Sequence, residues 1–332
     1  MKKRILVTGG AGFIGYHLMS RLVQEVDSEI VCIDNLSRGR MDRDLVRLLE
    51  NRQITFVQGD LTAQETYRQF VETFDEVYHL AGVLGVQRVV ERPDEVVRIN
   101  ALSTLQLLEW FCGGGGKRIV FASTSEVYAW TQKFYPLPIP TSEDVPLSLT
   151  DLSNPRSSYA GSKIFCELAV TQYAGRFGKR FSIVRYHNVY GPRMGFNHVI
   201  PELTKRIIDG EDPLKVYSSD HIRAFCYISD AVEATILCMR HESADGRVFN
   251  VGNSGQEVTI ADLARILIRL SGHDRGIKHY ENAHDPIRRR CPDVSLAKKL
   301  LGYKSQISLE EGVAKTWRWY FDYFVNKPQV VA

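Results

Sequence analysis

The sequence has few of the features expected of a membrane, exported or nucleic-acid-binding protein. Its net charge of +3 over 332 residues is too small to favour a nucleic acid or an anionic membrane as partner. No segment reaches the roughly 18 consecutive apolar residues needed to span a bilayer. Only Ile5, Leu6 and Val7 follow the basic start before Thr8-Gly9-Gly10, too few for an export signal. We expect a cytoplasmic protein with no nucleic acid and no membrane as partner.

The cysteines are also sparse and scattered. There are six, and no two form a C-x-x-C pair, so the sequence predicts neither a metal site nor a redox motif. Unpaired cysteines at such spacing are typical of a reducing compartment.

Short β-branched runs alternate with amphipathic stretches through the first half of the chain. Examples are the runs Arg4–Val7 and Ile30–Ile33 and the stretch Phe13–Val26 between them. This alternation predicts an α/β fold with a parallel sheet covered on both faces. After about residue 186 it fades without a linker, so a second lobe is expected to be built from interleaved segments. Ala129–Leu152 holds four prolines and is predicted to be a long ordered loop.

A glycine-rich loop follows the first strand and opens a helix. Its glycines allow a sharp turn and a close approach to a pyrophosphate, and the helix N-terminus offers free N–H groups to the phosphates. Asp34 ends the second strand, where a carboxylate binds ribose hydroxyls and repels a 2′-phosphate, which favours NAD over NADP. The predicted cofactor contacts are Gly9, Gly12, Phe13, Ile14, Gly15, Asp34, Asn35, Asp60, Leu61, Leu80, Ala81, Gly82, Asn100, Tyr159 and Lys163.

Tyr159 and Lys163 are four residues apart on a predicted helix and therefore share a face. A neighbouring ammonium lowers the pKa of a tyrosine and prepares it to remove a hydroxyl proton. Thr124 and Glu126 follow another strand and point the same way if that strand continues. Thr124 is predicted to bridge the substrate oxygen and Tyr159, and Glu126 is a candidate acid or base.

Together these residues resemble the extended short-chain dehydrogenase/reductase family of nucleotide-sugar epimerases, dehydratases and decarboxylases. The resemblance spans nearly the whole chain. Besides the glycine loop and the residues at 124, 159 and 163, it rests on Arg185-Tyr186-His187-Asn188-Val189-Tyr190-Gly191-Pro192-Arg193, Arg223-Ala224-Phe225-Cys226-Tyr227-Ile228-Ser229-Asp230, Arg290-Cys291-Pro292-Asp293 and Leu300-Leu301-Gly302-Tyr303.

The resemblance implies a Rossmann-type doubly wound parallel sheet with a smaller, interleaved C-terminal substrate lobe. The NAD domain is expected over residues 1–185, with parts of 225–250 returning to it, and the nucleotide-sugar lobe mainly over 186–330. Asn188, Arg223 and Arg290 are implied substrate contacts, since guanidinium groups suit a diphosphate. A homodimer is implied through a four-helix interface formed by Asp94–Phe111 and Tyr159–Phe177.

The implied activity is NAD-dependent modification of a nucleoside-diphosphate sugar through a transient 4-keto intermediate. The segment Thr124-Ser125-Glu126-Val127-Tyr128 resembles that of the UDP-glucuronate decarboxylases and GDP-mannose-type 4,6-dehydratases, which favours one of these two reactions. A 4-epimerase is the alternative. Two residues differ from those common in the family: His187 occupies a position where an aromatic residue is common, and Gly82 one where an alanine is common. The nucleotide, the sugar and the outcome stay open, and so does a non-catalytic NAD-binding module as a different class of function.

The position of Asp34 predicts the cofactor preference. The purified protein should bind NAD at least about tenfold more tightly than NADP, about 1.4 kcal/mol, because the carboxylate repels a 2′-phosphate. Titration calorimetry with both dinucleotides measures this. Tighter binding of NADP would show that Asp34 does not have the assigned role.

Overall fold

The computed structural model describes residues 2–25, 27–281 and 287–326. Its strands, in chain order, are β1 (Lys3–Thr8), β2 (Ser28–Asp34), β3 (Ile54–Gln58), β4 (Phe74–His79), β5 (Gly116–Thr124), β6 (Arg180–Tyr186), β7 (Val189–Tyr190), β8 (Leu214–Tyr217), β9 (Ile222–Ala224), β10 (Cys226–Tyr227), β11 (Arg247–Val251), β12 (Glu257–Thr259), β13 (Ile277–Tyr280) and β14 (Arg289–Arg290). Its α-helices are α1 (Phe13–Leu22), α2 (Arg43–Leu49), α3 (Glu65–Arg68), α4 (Val86–Glu91), α5 (Pro93–Trp110), α6 (Ala129–Phe134), α7 (Ser157–Phe177), α8 (Val199–Ile208), α9 (Ile228–Arg240), α10 (Ile260–Ser271), α11 (Ser295–Leu301) and α12 (Leu309–Asn326).

Seven strands form one parallel sheet in the order β11-β6-β5-β4-β1-β2-β3. The chain winds outward from β1 to β3, then returns to the middle and winds the other way from β4. This is the doubly wound order that places a ligand crevice at the point of reversal. The predicted Rossmann-type sheet is therefore confirmed. Its outer strand beside β6 is β11, where Asn250 pairs with Arg185.

The core lies on both faces of this sheet because successive strand side chains point in opposite directions. Ile5 and Val7 of β1 belong to the cluster on one face, and Leu6 belongs to the cluster on the other. Helices α1 and α9 pack together on the first face, and α5 and α7 pack together on the second. Burial on both faces explains why the strands are nearly continuous apolar runs.

In the described part of the C-terminal half, the remaining strands are short and the remaining α-helices are α8, α10, α11 and α12. Strand β9 pairs with β12 and β14, β8 pairs with β13, and β7 pairs with β10. Helices α8, α10 and α12 pack around one another beside them. Because β11 joins the large sheet between these segments, the two parts interleave along the chain.

Two boundaries differ from the sequence expectations. The loop predicted over Ala129–Leu152 is wrong for its first six residues, which form α6. The helix predicted over Phe13–Val26 ends at Leu22, and residue 26 lies outside the described residues, as do 327–330 of the predicted lobe.

No helix in the described ranges is long and apolar enough to cross a bilayer.

Candidate active site

Four of the predicted site residues lie where strands of the large sheet end. Gly9 follows β1, Asp34 ends β2, Leu80 follows β4 and Thr124 ends β5. Because these strands are parallel neighbours, all four positions lie at one edge of the sheet. The reversal of strand order between β1 and β4 places a crevice there.

The loop between β1 and α1 has the shape that a dinucleotide requires. Gly9 has a φ of +72°, and a Cβ on it would lie 2.8 Å from Cα of Ala81. A Cβ on Gly15 would run into the carbonyl oxygen of Gly9, so only glycine lets the helix approach the loop this closely. The first helical hydrogen bond runs from the amide of Tyr16 to the carbonyl of Gly12, at 3.0 Å. The amides of the first turn of α1 precede it and suit a pyrophosphate.

Asp34 is oriented by backbone on both sides. One carboxylate oxygen accepts a hydrogen bond from the amide of Ala11 at 3.1 Å, and the other accepts one from Leu36 at 2.8 Å. Burial raises the pKa of Asp34, and these two hydrogen bonds lower it. Each oxygen keeps a further lone pair for a ribose hydroxyl.

Asn100 lies between the end of β4 and the catalytic helix. Its Oδ1 accepts from the amide of Val83 at 2.7 Å, and its Nδ2 donates to Val83 O at 3.0 Å and to Ser162 Oγ at 3.1 Å. A Cβ on Gly82 would lie 3.2 Å from Lys163 Nζ and 3.4 Å from Asn100 Oδ1. The glycine at 82 therefore gives these two side chains room that an alanine would restrict.

Two other predicted cofactor residues order their own turns. Asp60 accepts hydrogen bonds from the amide and the hydroxyl of Thr62, each at 2.9 Å, and is followed by the buried Leu61. Asn35 accepts a hydrogen bond from the amide of Ser37 at 3.0 Å.

Tyr159, Lys163 and Thr124 meet where α7 crosses the end of β5. Tyr159 is hydrogen-bonded to Thr124, which lowers its pKa, but burial is the largest influence and raises the pKa of Tyr159 to about 12. The ammonium of Lys163 donates to the carbonyl of Ala122 at 2.8 Å and lies 4.8 Å from the ring centre of Phe121.

The positive charge that lowers the pKa of Tyr159 is not the Lys163 ammonium expected from the sequence. In the structure this cation is Arg38, whereas the Glu126 carboxylate raises the pKa. Burial in turn lowers the pKa of Lys163, which favours its neutral form. Arg38 was not among the residues predicted from the sequence to act at the site.

Arg38 reaches from the turn after β2 towards the C-terminal half. A Cβ on Gly195 would lie 3.3 Å from Nη2 of Arg38, so the guanidinium lies against that glycine. Its charge also acts on His198, whose pKa is lowered to about 4, mainly by burial. The available sequence signal was a pair of arginines around Gly39 directly after Asp34.

Glu126 does not share a strand face with Thr124, because β5 ends at Thr124. Residues Ser125–Tyr128 form a 3-10 turn, and the hydroxyl of Thr124 accepts a hydrogen bond from the amide of Glu126 at 3.2 Å. The expectation of a continued strand is therefore wrong. The Glu126 carboxylate forms an ion pair with Arg290, whose side chain is only 12% exposed. Partial burial strengthens such an attraction relative to water.

The three predicted substrate residues gather around β9. Nδ2 of Asn188 lies 3.4 Å from the carbonyl oxygen of Ala224, and Arg290 pairs in register with Arg223. Arg223 is buried and donates to the carbonyls of Ile222, Arg288 and Ile287 at 2.9 to 3.1 Å. The side chain of Arg290 thus contacts Glu126, and its backbone pairs with that of Arg223.

Among the described residues, no three His, Cys, Asp or Glu side chains lie close enough together to bind a metal ion.

Comparison with known proteins agrees with this geometry. Residues 5–252 match the model of the NAD dependent epimerase/dehydratase family. A UDP-N-acetyl-alpha-D-glucosaminuronate decarboxylase of Bacillus cytotoxicus is 34% identical over 96% of this chain and 98% of its own. UDP-glucuronic acid decarboxylase 6 of Arabidopsis thaliana is 33% identical over 93% of this chain and 86% of its own.

A solved structure extends the likeness to three dimensions. The UDP-glucuronic acid 4-epimerase of Bacillus cereus, in complex with UDP-glucuronic acid and NAD, superposes with a TM-score of 0.84. It is 26% identical and covers 96% of this chain and 99% of its own.

The chain belongs to the NAD-dependent epimerase/dehydratase family. The predictions of an enzyme of this family and of NAD as its cofactor are confirmed.

The position of Arg38 predicts a pH effect. In Arg38→Leu the pKa of Tyr159 should rise further, because the charge that stabilises the phenolate is lost. A base with a higher pKa is less often deprotonated at a fixed pH. The rising limb of the kcat/KM profile should therefore move to higher pH, with a rate loss on the order of threefold at neutral pH.

Arg38→Lys is the matched control and should keep the wild-type profile. An unshifted profile in Arg38→Leu would show that Arg38 does not act on Tyr159.

Proposed function

We propose that this protein is an NAD-dependent decarboxylase of a UDP-hexuronate. The observation on which this rests is the Arg290–Glu126 ion pair beside Thr124 and Tyr159. A guanidinium at the reacting end of a sugar site matches a sugar carboxylate, with which it can form paired hydrogen bonds. The two relatives named as decarboxylases support the same class of substrate.

NAD, when bound, supplies the acceptor and later the donor of the hydride at C4 of the sugar. The glycine loop and Asp34 would hold it, as their geometry fits a dinucleotide. In the same site Tyr159 removes the proton of the C4 hydroxyl, and Thr124 orients that oxygen through its hydrogen bond to Tyr159. Lys163 fixes the end of β5 through Ala122. Hydride and proton loss together leave a ketone at C4.

The ketone makes the carboxylate on C5 a good leaving group, because the electron pair of the broken bond passes into an enolate. Carbon dioxide departs, and C5 then takes up one proton. Arg290 orients the carboxylate before it leaves. Glu126 orders the sugar or the water that supplies the proton. Return of the hydride to C4 and of the proton from Tyr159 restores the hydroxyl.

We assign the diphosphate of the substrate to the region around β9. Arg223 pairs there in register with Arg290, and Asn188 is hydrogen-bonded to the carbonyl of Ala224. Guanidinium and amide donors suit phosphate oxygens. A substrate lying from Arg223 towards Glu126 would present its sugar to Tyr159.

We also propose a homodimer through α5 and α7. These helices pack on each other and expose large apolar side chains on their outer surface: Val97, Leu102, Phe165 and Leu168. An exposed apolar face of this kind is typical of a subunit interface.

A 4-epimerase is the second candidate. It is favoured by the similarity to the B. cereus enzyme crystallised with UDP-glucuronic acid. That reaction shares the first oxidation but keeps the carboxylate and returns the hydride to the other face of C4.

Incubation with UDP-glucuronate and with UDP-N-acetylglucosaminuronate separates these reactions. We expect a product lighter by one carbon dioxide, seen by mass spectrometry, and no change of mass for UDP-glucose. A product of unchanged mass with inverted C4, seen by NMR, would instead establish the epimerase. Loss of water would establish a dehydratase.

Glu126→Gln tests the later half of the reaction. The amide keeps the size and hydrogen bonding of Glu126 but removes its charge and its ability to accept a proton. We expect the first oxidation to continue, so the absorbance of reduced nicotinamide persists while product forms about 10²-fold more slowly. Rapid mixing under single-turnover conditions measures both.

Glu257→Gln is the control, since it alters the neighbouring ion pair with Arg289 at 2.6 Å. It should behave as wild type. Loss of the first oxidation in Glu126→Gln would assign Glu126 to that step instead, and an unaltered rate would leave it only a structural role.

A further inference from the structure

We propose that Asn250 is a positioning residue that aligns Glu126 with Arg290 by joining the two segments on which they lie. Asn250 is in β11, opposite Arg185 of β6, and has no exposed surface. The inference rests on the proposed function, because it concerns the step assigned to the Glu126–Arg290 pair.

The side-chain amide of Asn250 uses its full hydrogen-bonding capacity. Its Nδ2 donates to the carbonyl of Thr141 at 3.0 Å and to the carbonyl of Asp293 at 3.1 Å. Its Oδ1 accepts from the hydroxyl of Tyr128 and from Nε2 of His187, each at 2.9 Å. Two donors and two lone pairs are all that the amide has.

These partners lie on the two segments that contain Glu126 and Arg290, or are hydrogen-bonded to them. Tyr128 is the last residue of the 3-10 turn that contains Glu126. Asp293 follows Arg290 by three residues. The backbone of Thr141 is hydrogen-bonded to the same segment: its amide donates to the carbonyl of Cys291 at 2.9 Å, and its carbonyl accepts from the amide of Asp293 at 2.8 Å. The carboxamide of Asn250 is therefore hydrogen-bonded both to the turn that contains Glu126 and to the segment that follows Arg290.

The network continues from Asn250 to the catalytic helix. The hydroxyl of Tyr128 accepts a hydrogen bond from Nη1 of Arg185 at 2.7 Å. Arg185 in turn forms a buried ion pair with Glu167 of α7 at 2.7 Å. Glu167 is one helical turn beyond Lys163, so the position of the Glu126 turn is coupled to that of Tyr159 and Lys163.

The direction of these bonds also fixes the state of His187. Because Nδ2 of Asn250 faces two carbonyls, its Oδ1 must be the acceptor, and Nε2 of His187 must bear the proton. Burial, together with smaller effects of the Arg290 and Arg185 charges, lowers the pKa of His187 to about 4. A neutral imidazole beside Glu126 adds no second positive charge to compete with Arg290 for the carboxylate.

The test is Asn250→Asp, which keeps the shape and the Oδ1 acceptor. It replaces the Nδ2 donor with an oxygen that faces two carbonyl oxygens. With UDP-glucuronate we expect the first oxidation within about twofold of wild type and product formation at least about tenfold slower. In a Glu126→Gln background the same change should have little further effect, because both act on one step.

Hydrogen exchange provides a readout that needs no substrate. Amides of residues 125–128 and 291–293 should exchange at least about tenfold faster in Asn250→Asp, while those of β1 and β4 keep their protection. Val251→Ala is the matched control. It removes buried methyl groups from the adjacent residue of β11 without touching the carboxamide, and it should lower thermal stability without either local effect.

Equal slowing of both reaction steps, or faster exchange throughout the sheet, would show that Asn250 only stabilises the fold and would overturn the proposal. If Asn250→Asp does not fold, Tyr128→Phe removes one of its bonds and is judged by the same criteria. Absence of decarboxylation by the wild-type protein would refute the proposed function, and the exchange experiment would still decide the role of Asn250.

Discussion

A buried, fully hydrogen-bonded path from Glu167 to Asn250 is the interaction on which the candidate site depends. Charged groups are costly to bury unless they are paired, and here Arg185 meets Glu167 through two hydrogen bonds, at 3.0 and 2.7 Å. Tyr128 and Asn250 extend that pairing to three further groups, in Thr141, Asp293 and His187. A path of this kind fixes one arrangement, because loss of any member leaves a buried donor or acceptor without a partner.

The part of the site predicted to bind the cofactor depends on close packing of the backbone rather than on charge. Gly9 and Gly15 remove the side chains that would separate the loop, α1 and the end of β4. The Asp34 carboxylate accepts hydrogen bonds from the amides of Ala11 and Leu36, so the residue predicted to select the cofactor also holds the loop.

The electrostatics of Tyr159 are balanced between the two parts of the chain. Burial has the largest effect and raises the pKa of Tyr159, which is about 12. Thr124 and Arg38 act in the opposite direction, and Arg38 lies against Gly195 of the C-terminal half. The pKa of Tyr159 is therefore coupled to how closely the turn after β2 approaches that half.

The sequence alone determined the sheet, the glycine loop and the spacing of Tyr159 and Lys163. Each of these is a local pattern: strand and helix periodicity, a turn that needs glycine, and two residues one helical turn apart. The tertiary structure alone decided which distant groups meet. Glu126 and Arg290 are 164 residues apart, and Tyr128 and Asn250 are 122 apart. No local pattern encodes such contacts, because they arise only when separate strands are brought to one edge of a sheet. For the same reason the end of β5 at Thr124 was missed: the 3-10 turn that follows it is hydrogen-bonded through Tyr128 to Asn250, which lies on another strand.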